Sequence, residues 1–345
     1  MKKTSNDFTE ALEARLRTVF EQQQALAPTP EAKLLLERLQ ALVLRAGKRS
    51  RPQLLRTTYM AYGGTAPDIL LDAGVALELH HQFLLVHDDI MDQDTVRYDG
   101  PNMLGFYQQD FPDSDIPSSM ALLAGNLLFT FACQAILNHP TLSDTKKVAL
   151  LRIIQATNIG VHDGQQLDIL NLTSLNTPIT KAHLLQTNEL KTALYSINLP
   201  MQCAAELLDL PATERQHIDQ FARACGTLYQ LVDDYADYFQ NHTAFNAHPK
   251  FRDFRQGKVT YPLLYALAHT AKADRQWLEM QLGNKVLSDV HMHKVVTILE
   301  NCGAQTASQK QITDYHAKAK RYLKKLAMNP AGLEALEQLL QSLQV

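Results

Sequence analysis

Apolar residues recur three and four positions apart over most of this chain. In EAKLLLERLQALVLRA, Leu35, Leu39, Leu42, Val43 and Ala46 make one stripe, and between Asp68 and Val86 another is made by Leu70, Ala73, Leu77, His81 and Leu84. A period near 3.6 marks helices with one buried face, whereas the strict alternation of strands is hard to find. The pattern predicts ten or more helices and essentially no sheet, an all-α fold. Breaks fall near Pro28 and Pro30, Lys48 to Pro52, Gly63 to Pro67, Asp94 to Pro101, Pro112 to Ser118, Pro140, Ser174 to Thr180, Pro211, Asn241 to Gly257, Gly283 and Pro330. None is longer than about 20 residues, so 1–345 reads as a single domain without independent linkers.

Composition narrows the class. An apolar fraction of 46% supplies a large core, and a net charge of −3 gives no electrostatic footprint for nucleic acid or a strongly anionic membrane. Cys133, Cys203, Cys225 and Cys302 lie far apart without a C-x-x-C spacing. That excludes a zinc site or a disulfide framework as a sequence expectation and points to a reducing cytoplasm. The opening MKKTSNDFTEALEARL lacks the apolar core of a signal peptide, and no run of about 18 apolar residues is expected, hence no transmembrane segment.

The polar interruptions carry the chemistry. FLLVHDDIMDQDTVR ends an apolar helical run in carboxylates, with Asp88 and Asp92 stacked a turn apart and Asp89 beside them. Such acids repel by a few tenths of a kcal/mol per pair. A hard cation such as Mg²⁺ answers that repulsion, being held by one or two carboxylates plus substrate phosphates. Asp233, Asp234 and Asp237 repeat the Asp-Asp-x-x-Asp spacing at the end of another apolar helix, GTLYQLVDDYADYF. Two such clusters suggest two helices facing each other across a metal and phosphate site. RAGKRSRP places four cations around Gly47 before Pro52 opens a helix, where Lys48 and Arg51 suit a diphosphate. His81 shares a helix face with Asp88, and Arg97 comes soon enough after Asp92 to meet a phosphate. His162, Gln165 and Asp168 share another helix face; Lys191 and Thr192 interrupt an apolar helix; Gln230 lies one turn before Asp233 and Asp234. The polar segment NHTAFNAHPKFRDFRQGK reads as a lid over a site.

Taken in order, GKRSRP, HQFLLVHDDIMD with Arg97, GQQLD, KT, GTLYQLVDDYAD and GKVTYP resemble the trans-isoprenyl diphosphate synthases, the polyprenyl synthetase family, from about Gly47 to Pro262. The resemblance implies a single large helical bundle around a deep central cavity, a homodimer, and three Mg²⁺ ions between the acid clusters. It implies Asp88, Asp92 and Asp233 as principal metal ligands, with Asp89, Asp234 and Asp237 assisting. The allylic diphosphate would rest on the metals, Arg97, Lys191 and Lys258, and isopentenyl diphosphate on Lys48, Arg51 and His81. Thr192 and Gln230 would flank the reacting carbon, and Gln165 and Asp168 would support the metal side. The implied reaction is Mg²⁺-dependent head-to-tail condensation: the allylic C–O bond ionises, the alkene attacks the cation, and a proton is lost.

By the same resemblance Phe83, about 7.5 Å down the helix from Asp88 at 1.5 Å per residue, with Leu84 beside it, is the floor of a short-chain pocket. Products of C15 to C20 are expected, with geranylgeranyl diphosphate favoured over farnesyl because the first cluster lacks an insertion. Three positions depart from the family pattern. Tyr98 stands where a second arginine is usual, Asn126 where an aspartate is common, and the segment before Asp253 lacks glycines. A terpene cyclase would leave Lys48, Arg51 and His81 without a task. A longer-chain polyprenyl diphosphate synthase and a noncatalytic partner subunit remain the alternatives.

Overall fold

The computed structural model describes residues 2–45, 47–173, 179–239 and 251–345. Helices dominate as the periodicity requires: α1 (Lys2–Ala25), α2 (Pro30–Val43), α3 (Ser50–Ala61), α4 (Pro67–Asp92), α5 (Met103–Asp110), α6 (Ile116–Leu137), α7 (Asp144–Thr173) and α8 (Lys181–Asn188). A π-helix (Glu189–Asn198) leads into α9 (Leu199–Leu207). Then come α10 (Ala212–Phe239), α11 (Arg252–Gln256), α12 (Tyr261–His269), α13 (Lys272–Gln281), α14 (Asp289–Asn301), α15 (Ala304–Leu323) and α16 (Pro330–Gln341). The described residues form two compact units, Met1–Ile153 with Cys203–Asp209, and Ile154–Gln202 with Leu210–Val345. Two of the three divisions fall inside helices, in α7 and α9, and the third lies between α9 and α10.

The first unit is built on α4. Leu12, Leu16 and Phe20 of α1 join Leu35, Leu39 and Leu42 of α2 and Val75, Leu79, Phe83 and Val86 of α4 in one core. Burying each such side chain stabilises the fold by roughly 1.5–3 kcal/mol. The stripe expected on α2 is buried from Leu35 to Val43, while Ala46 lies outside the described residues. Thr29 starts that helix by accepting the Ala32 N–H, with Pro30 in the first turn. The main partner of α4 is α6, whose Ala121, Ala124, Gly125 and Ala132 permit close approach. A side chain at Gly125 would occupy the place of the His87 ring.

Helix α4 stops directly after Asp92. Gln93 takes a left-handed φ of 57°, so its N–H returns to the Ile90 carbonyl and that of Asp94 to Asp89. A short antiparallel ribbon comes next, in keeping with the expectation of essentially no sheet. Val96–Arg97 pairs with Gly100–Pro101 through Tyr98 and Asp99, whose φ values are 53° and 58°. Two successive left-handed residues are what a two-residue turn needs to match strand twist, although Asn or Gly usually supplies them.

The expectation that no long apolar run exists needs correction. Asp68–Asp92 and Ile116–Leu137 are both long and apolar enough to cross a membrane by length and composition. The first is mostly buried and carries Asp72, Glu78, His80, His81 and Gln82 into the protein. The second holds no charged residue at all.

In the second unit α10 packs against the π-helix and α15. Ile218, Phe221, Cys225, Leu228 and Leu231 line its buried face at helical spacing. The Tyr235 hydroxyl accepts from Gln305 and Gln309 of α15. Tyr238 joins Phe251, Phe254, Leu263 and Leu278 in a separate core that supports α11 and α12.

Candidate active site

In the first unit the carboxylates of α4 divide. Asp88 and Asp92 are half-buried, whereas Asp89 turns inward onto Arg97. The Arg97 Nε donates to both Asp89 oxygens, at 3.0 and 3.1 Å. Burial pushes the Asp89 carboxyl up to about 6 while Arg97 pulls the other way. The resemblance puts Arg97 on a diphosphate and Asp89 near a metal; here each satisfies the other, because an unpaired charge at that depth would be costly.

The four cations of RAGKRSRP divide too. Arg45 Nη1 donates to the carbonyls of Arg97 and Pro101, at 2.8 and 3.0 Å, and so holds the ribbon. Arg49 is buried, donating to Glu78 at 2.8 Å and Glu13 at 3.2 Å. Lys48 is exposed and Arg51 half-buried, and these two are the cations assigned to a diphosphate from sequence. His81 is buried near Arg51. Burial first, then the charges of Arg51 and Arg97, push its pKa well below the usual histidine value, so it is a neutral imidazole. Tyr98 lies within the influence of Arg97, Glu78 and Arg51, with Gln82 at its phenol, and burial raises its pKa.

Below Asp88, Phe83 is buried and enclosed by rings. Its centroid lies 4.7 Å from His87, 5.1 Å from Phe129 of α6 and 5.9 Å from His80. Leu84 is half-buried beside it. The α6 contribution is not visible in sequence, where Phe129 is one aromatic in an uncharged run.

In the second unit Asp168 of α7 gathers two cations. Lys191 Nζ donates to its Oδ2 at 2.6 Å and Lys258 Nζ lies 4.0 Å away. Asp168 thus hydrogen-bonds one of the two lysines expected on the allylic diphosphate and lies at ion-pair distance from the other. Gln165 is half-buried one turn earlier, while His162 is exposed, with its Nδ1 at the Asn158 carbonyl. The Thr192 hydroxyl donates to Gln230 Oε1 at 2.9 Å, and Gln230 Nε2 donates to Asp234 Oδ1 at 2.8 Å. This chain commits Asp234, which is buried with its pKa raised well above the ordinary value, to orienting Gln230.

Asp233 remains half-buried, and Asp237 accepts the Arg252 N–H at 3.0 Å. Burial, then Asp253, pushes the Asp237 carboxyl up to about 8. Its Oδ2 is buried without a hydrogen-bond partner among the described residues. The sequence pattern gives Asp253 no role of its own, yet its charge raises both Asp234 and Asp237. Gly257 ends α11 at a φ of 82°, a value a side chain would strain, and Lys258 comes directly after it. Of the expected lid, residues 241–250 lie outside the described residues, as do 174–178 of the earlier break.

These donors fit a hard divalent cation. All are carboxylate oxygens, the donor type such an ion takes, and the buried Asp237 Oδ2 has no hydrogen-bond partner among the described residues. No three such side chains converge among the described residues.

Each unit thus carries a carboxylate cluster near the end of a long helix with basic side chains in the same unit, on an all-α scaffold. Residues 32–299 match the family model for polyprenyl synthetase. The short chain isoprenyl diphosphate synthase of Methanocaldococcus jannaschii is 30% identical over 260 residues, covering 75% of this chain and 74% of the relative. The (2E,6E)-farnesyl diphosphate synthase of Mycobacterium bovis is 29% identical over 261 residues, covering 74% and 67%. The fold matches a geranylgeranyl pyrophosphate synthase from Corynebacterium glutamicum, complexed with isoprenyl diphosphate and magnesium. Its TM-score is 0.88 at 22% identity, covering 97% and 98% of the two chains. The chain belongs to the polyprenyl synthetase family and is a prenyltransferase.

Proposed function

We propose that this prenyltransferase is a Mg²⁺-dependent short-chain synthase. It condenses isopentenyl diphosphate head to tail with allylic diphosphates to give all-trans products of C15 to C20, geranylgeranyl diphosphate favoured. The observation that carries the reading is the Asp168-held pair Lys191 and Lys258 in the unit that also bears the second acid cluster. Their ammonium groups stabilise the negative charge that develops on the departing diphosphate, and being held in advance they need no reorganisation as the bond breaks. Thr192, oriented by Gln230, presents its oxygen to the allylic carbon. Lys48, Arg51 and neutral His81 hold isopentenyl diphosphate, His81 by hydrogen bonding. Mg²⁺ bound at Asp88, Asp92, Asp233 and Asp237, three ions in all, would supply Lewis-acid neutralisation of the diphosphate. Arg97 acts through Asp89, keeping the end of α4 in place.

The short-chain reading rests on the ring cluster around Phe83. The test is incubation of purified protein with Mg²⁺, isopentenyl diphosphate and primers of C5, C10 and C15, and then chromatographic sizing. Products that stop at C20 support the reading; products of C30 or longer overturn it.

A homodimer belongs to the same proposal. Leu122, Leu123 and Leu137 of α6 are exposed on one uncharged helix, and a second copy of the chain is the partner such a row accommodates. Leu123→Lys is expected to give a monomer in sedimentation; an unchanged dimer counts against this face. The four cysteines, all free thiols, support a cytoplasmic setting.

A further inference from the structure

The chain runs helically into and out of the ten-residue π-helix: Asn188 has φ −60° and ψ −40°, and Leu199 has φ −54° and ψ −53°. Such wide turns are rare, and the segment ELKTALYSIN contains neither proline nor glycine to cause one. Glycines on two neighbouring helices pack against its backbone. A Cβ on Gly164 of α7 would come under 3.0 Å from the Lys191 backbone nitrogen and 2.8 Å from the Leu190 carbonyl carbon. A Cβ on Gly226 of α10 would come equally close to Ala193 Cα and Cβ. Two helices therefore press on the backbone from either side of Lys191 and Thr192, in places where only glycine leaves room. A methyl on Gly160 would meet only the flexible tip of Leu194.

Each glycine also lies one turn before a hydrogen-bond partner of the stretch it touches, Gly164 against Lys191 itself and Gly226 against Ala193, the neighbour of Thr192. Asp168, four residues after Gly164, receives Lys191. Gln230, four residues after Gly226, receives the Thr192 hydroxyl. The glycine sets how near the helix comes, and the residue one turn on uses that distance. We propose that Gly164 and Gly226 are positioning residues that hold the π-helix so that Lys191 meets Asp168 and Thr192 meets Gln230. This rests on the reading that Lys191 and Thr192 act on the allylic substrate. A displaced helix would lengthen both hydrogen bonds, and a shift of about 1 Å at a reacting group costs roughly 100-fold in rate.

The experiment compares Gly164→Ala, Gly226→Ala and Gly160→Ala with Lys191→Ala and Thr192→Ala in the full-length protein. It measures kcat, the KM for isopentenyl diphosphate, and Tm. Gly164→Ala and Gly226→Ala are expected to lower kcat by roughly 100-fold with the KM for isopentenyl diphosphate within about twofold, and Gly160→Ala to keep near-normal kcat. Gly164→Ala combined with Lys191→Ala is expected to be no slower than Lys191→Ala alone, since both act through one group. Additive losses, or three alanine variants whose kcat tracks Tm alone, overturn the inference. Full activity in Lys191→Ala and Thr192→Ala overturns the functional reading and the inference with it. Full activity in Gly164→Ala beside inactive Lys191→Ala overturns the inference alone. Hydrogen exchange of the wild-type chain gives a test free of folding defects. The amides from Leu190 to Ala193 are expected to be as protected as those of α10, and rapid exchange there overturns the proposal.

Discussion

The guanidinium of Arg97 and the carboxylate of Asp89 form a buried ion pair at the end of the helix that carries Asp88 and Asp92. With 7% and 2% of their side chains exposed, neither has water as an alternative partner. Removing one member of such a pair costs about 3–5 kcal/mol, because the other charge is left buried alone. Asp89→Ala and Arg97→Ala should each lower Tm by a similar amount, and the double substitution should lose less than the sum, by thermal denaturation. A diphosphate-clasping Arg97 would instead give Arg97→Ala a large rise in allylic KM that Asp89→Ala lacks.

Phe83 and Phe129 bring their rings within 5.1 Å from two different helices. Phe83→Ala should extend the longest product by at least one C5 unit. Phe129→Ala should do the same to a smaller degree, since it lowers the support rather than the floor. Truncating a buried aromatic costs about 3–5 kcal/mol, so product sizing should be run below the Tm of each variant. An unchanged product from Phe83→Ala would remove the floor assignment.

Tyr98 occupies a left-handed turn position close to Arg51. Tyr98→Arg adds a cation there, and one charge-assisted hydrogen bond contributes about 1.5 kcal/mol. The apparent KM for isopentenyl diphosphate should fall by roughly tenfold. Steady-state kinetics giving an equal or higher KM would show that the ribbon holds this position away from the substrate.

Asp237 binds its proton with a pKa of about 8 against an ordinary value of 3.8. The folded chain therefore keeps a proton that the unfolded chain releases. The stability this confers is complete below about pH 4 and is lost as pH rises towards 8. A cation needs the deprotonated carboxylate and competes with that proton. In thermal scans Mg²⁺ should raise Tm little near pH 6 and most near pH 8, and Asp237→Asn should flatten both trends. A Mg²⁺ effect independent of pH would exclude Asp237 from the cation site.

The helices were legible in sequence because apolar spacing reports burial directly: Leu35, Leu39, Leu42 and Val43 all lie in the core. Lys191, Thr192 and Gln230 were legible as polar residues inside apolar runs, and two hydrogen bonds explain how the fold tolerates them. The features that escaped depend on partners distant in sequence. Arg49 finds Glu78 and Arg45 finds the Pro101 carbonyl, so two of four neighbouring cations serve the scaffold. Tyr98 and Asp99 make a turn without the residues that announce one. The left-handed Phe251 starts the short helix that returns Asp253 towards Asp237. The π-helix escaped for the same reason, since the glycines packed against it lie on other helices.

Helix α4 runs unbroken from Phe83 through Asp88 and is halted by Gln93, which makes the separation of ring and carboxylate a ruler of fixed length. One residue inserted between them would swing the ring by about 100° around the axis and point it elsewhere. Changing the bulk of the residue at position 83 alters what lies below Asp88 without moving the carboxylate, whereas a change in residue number between the two moves both.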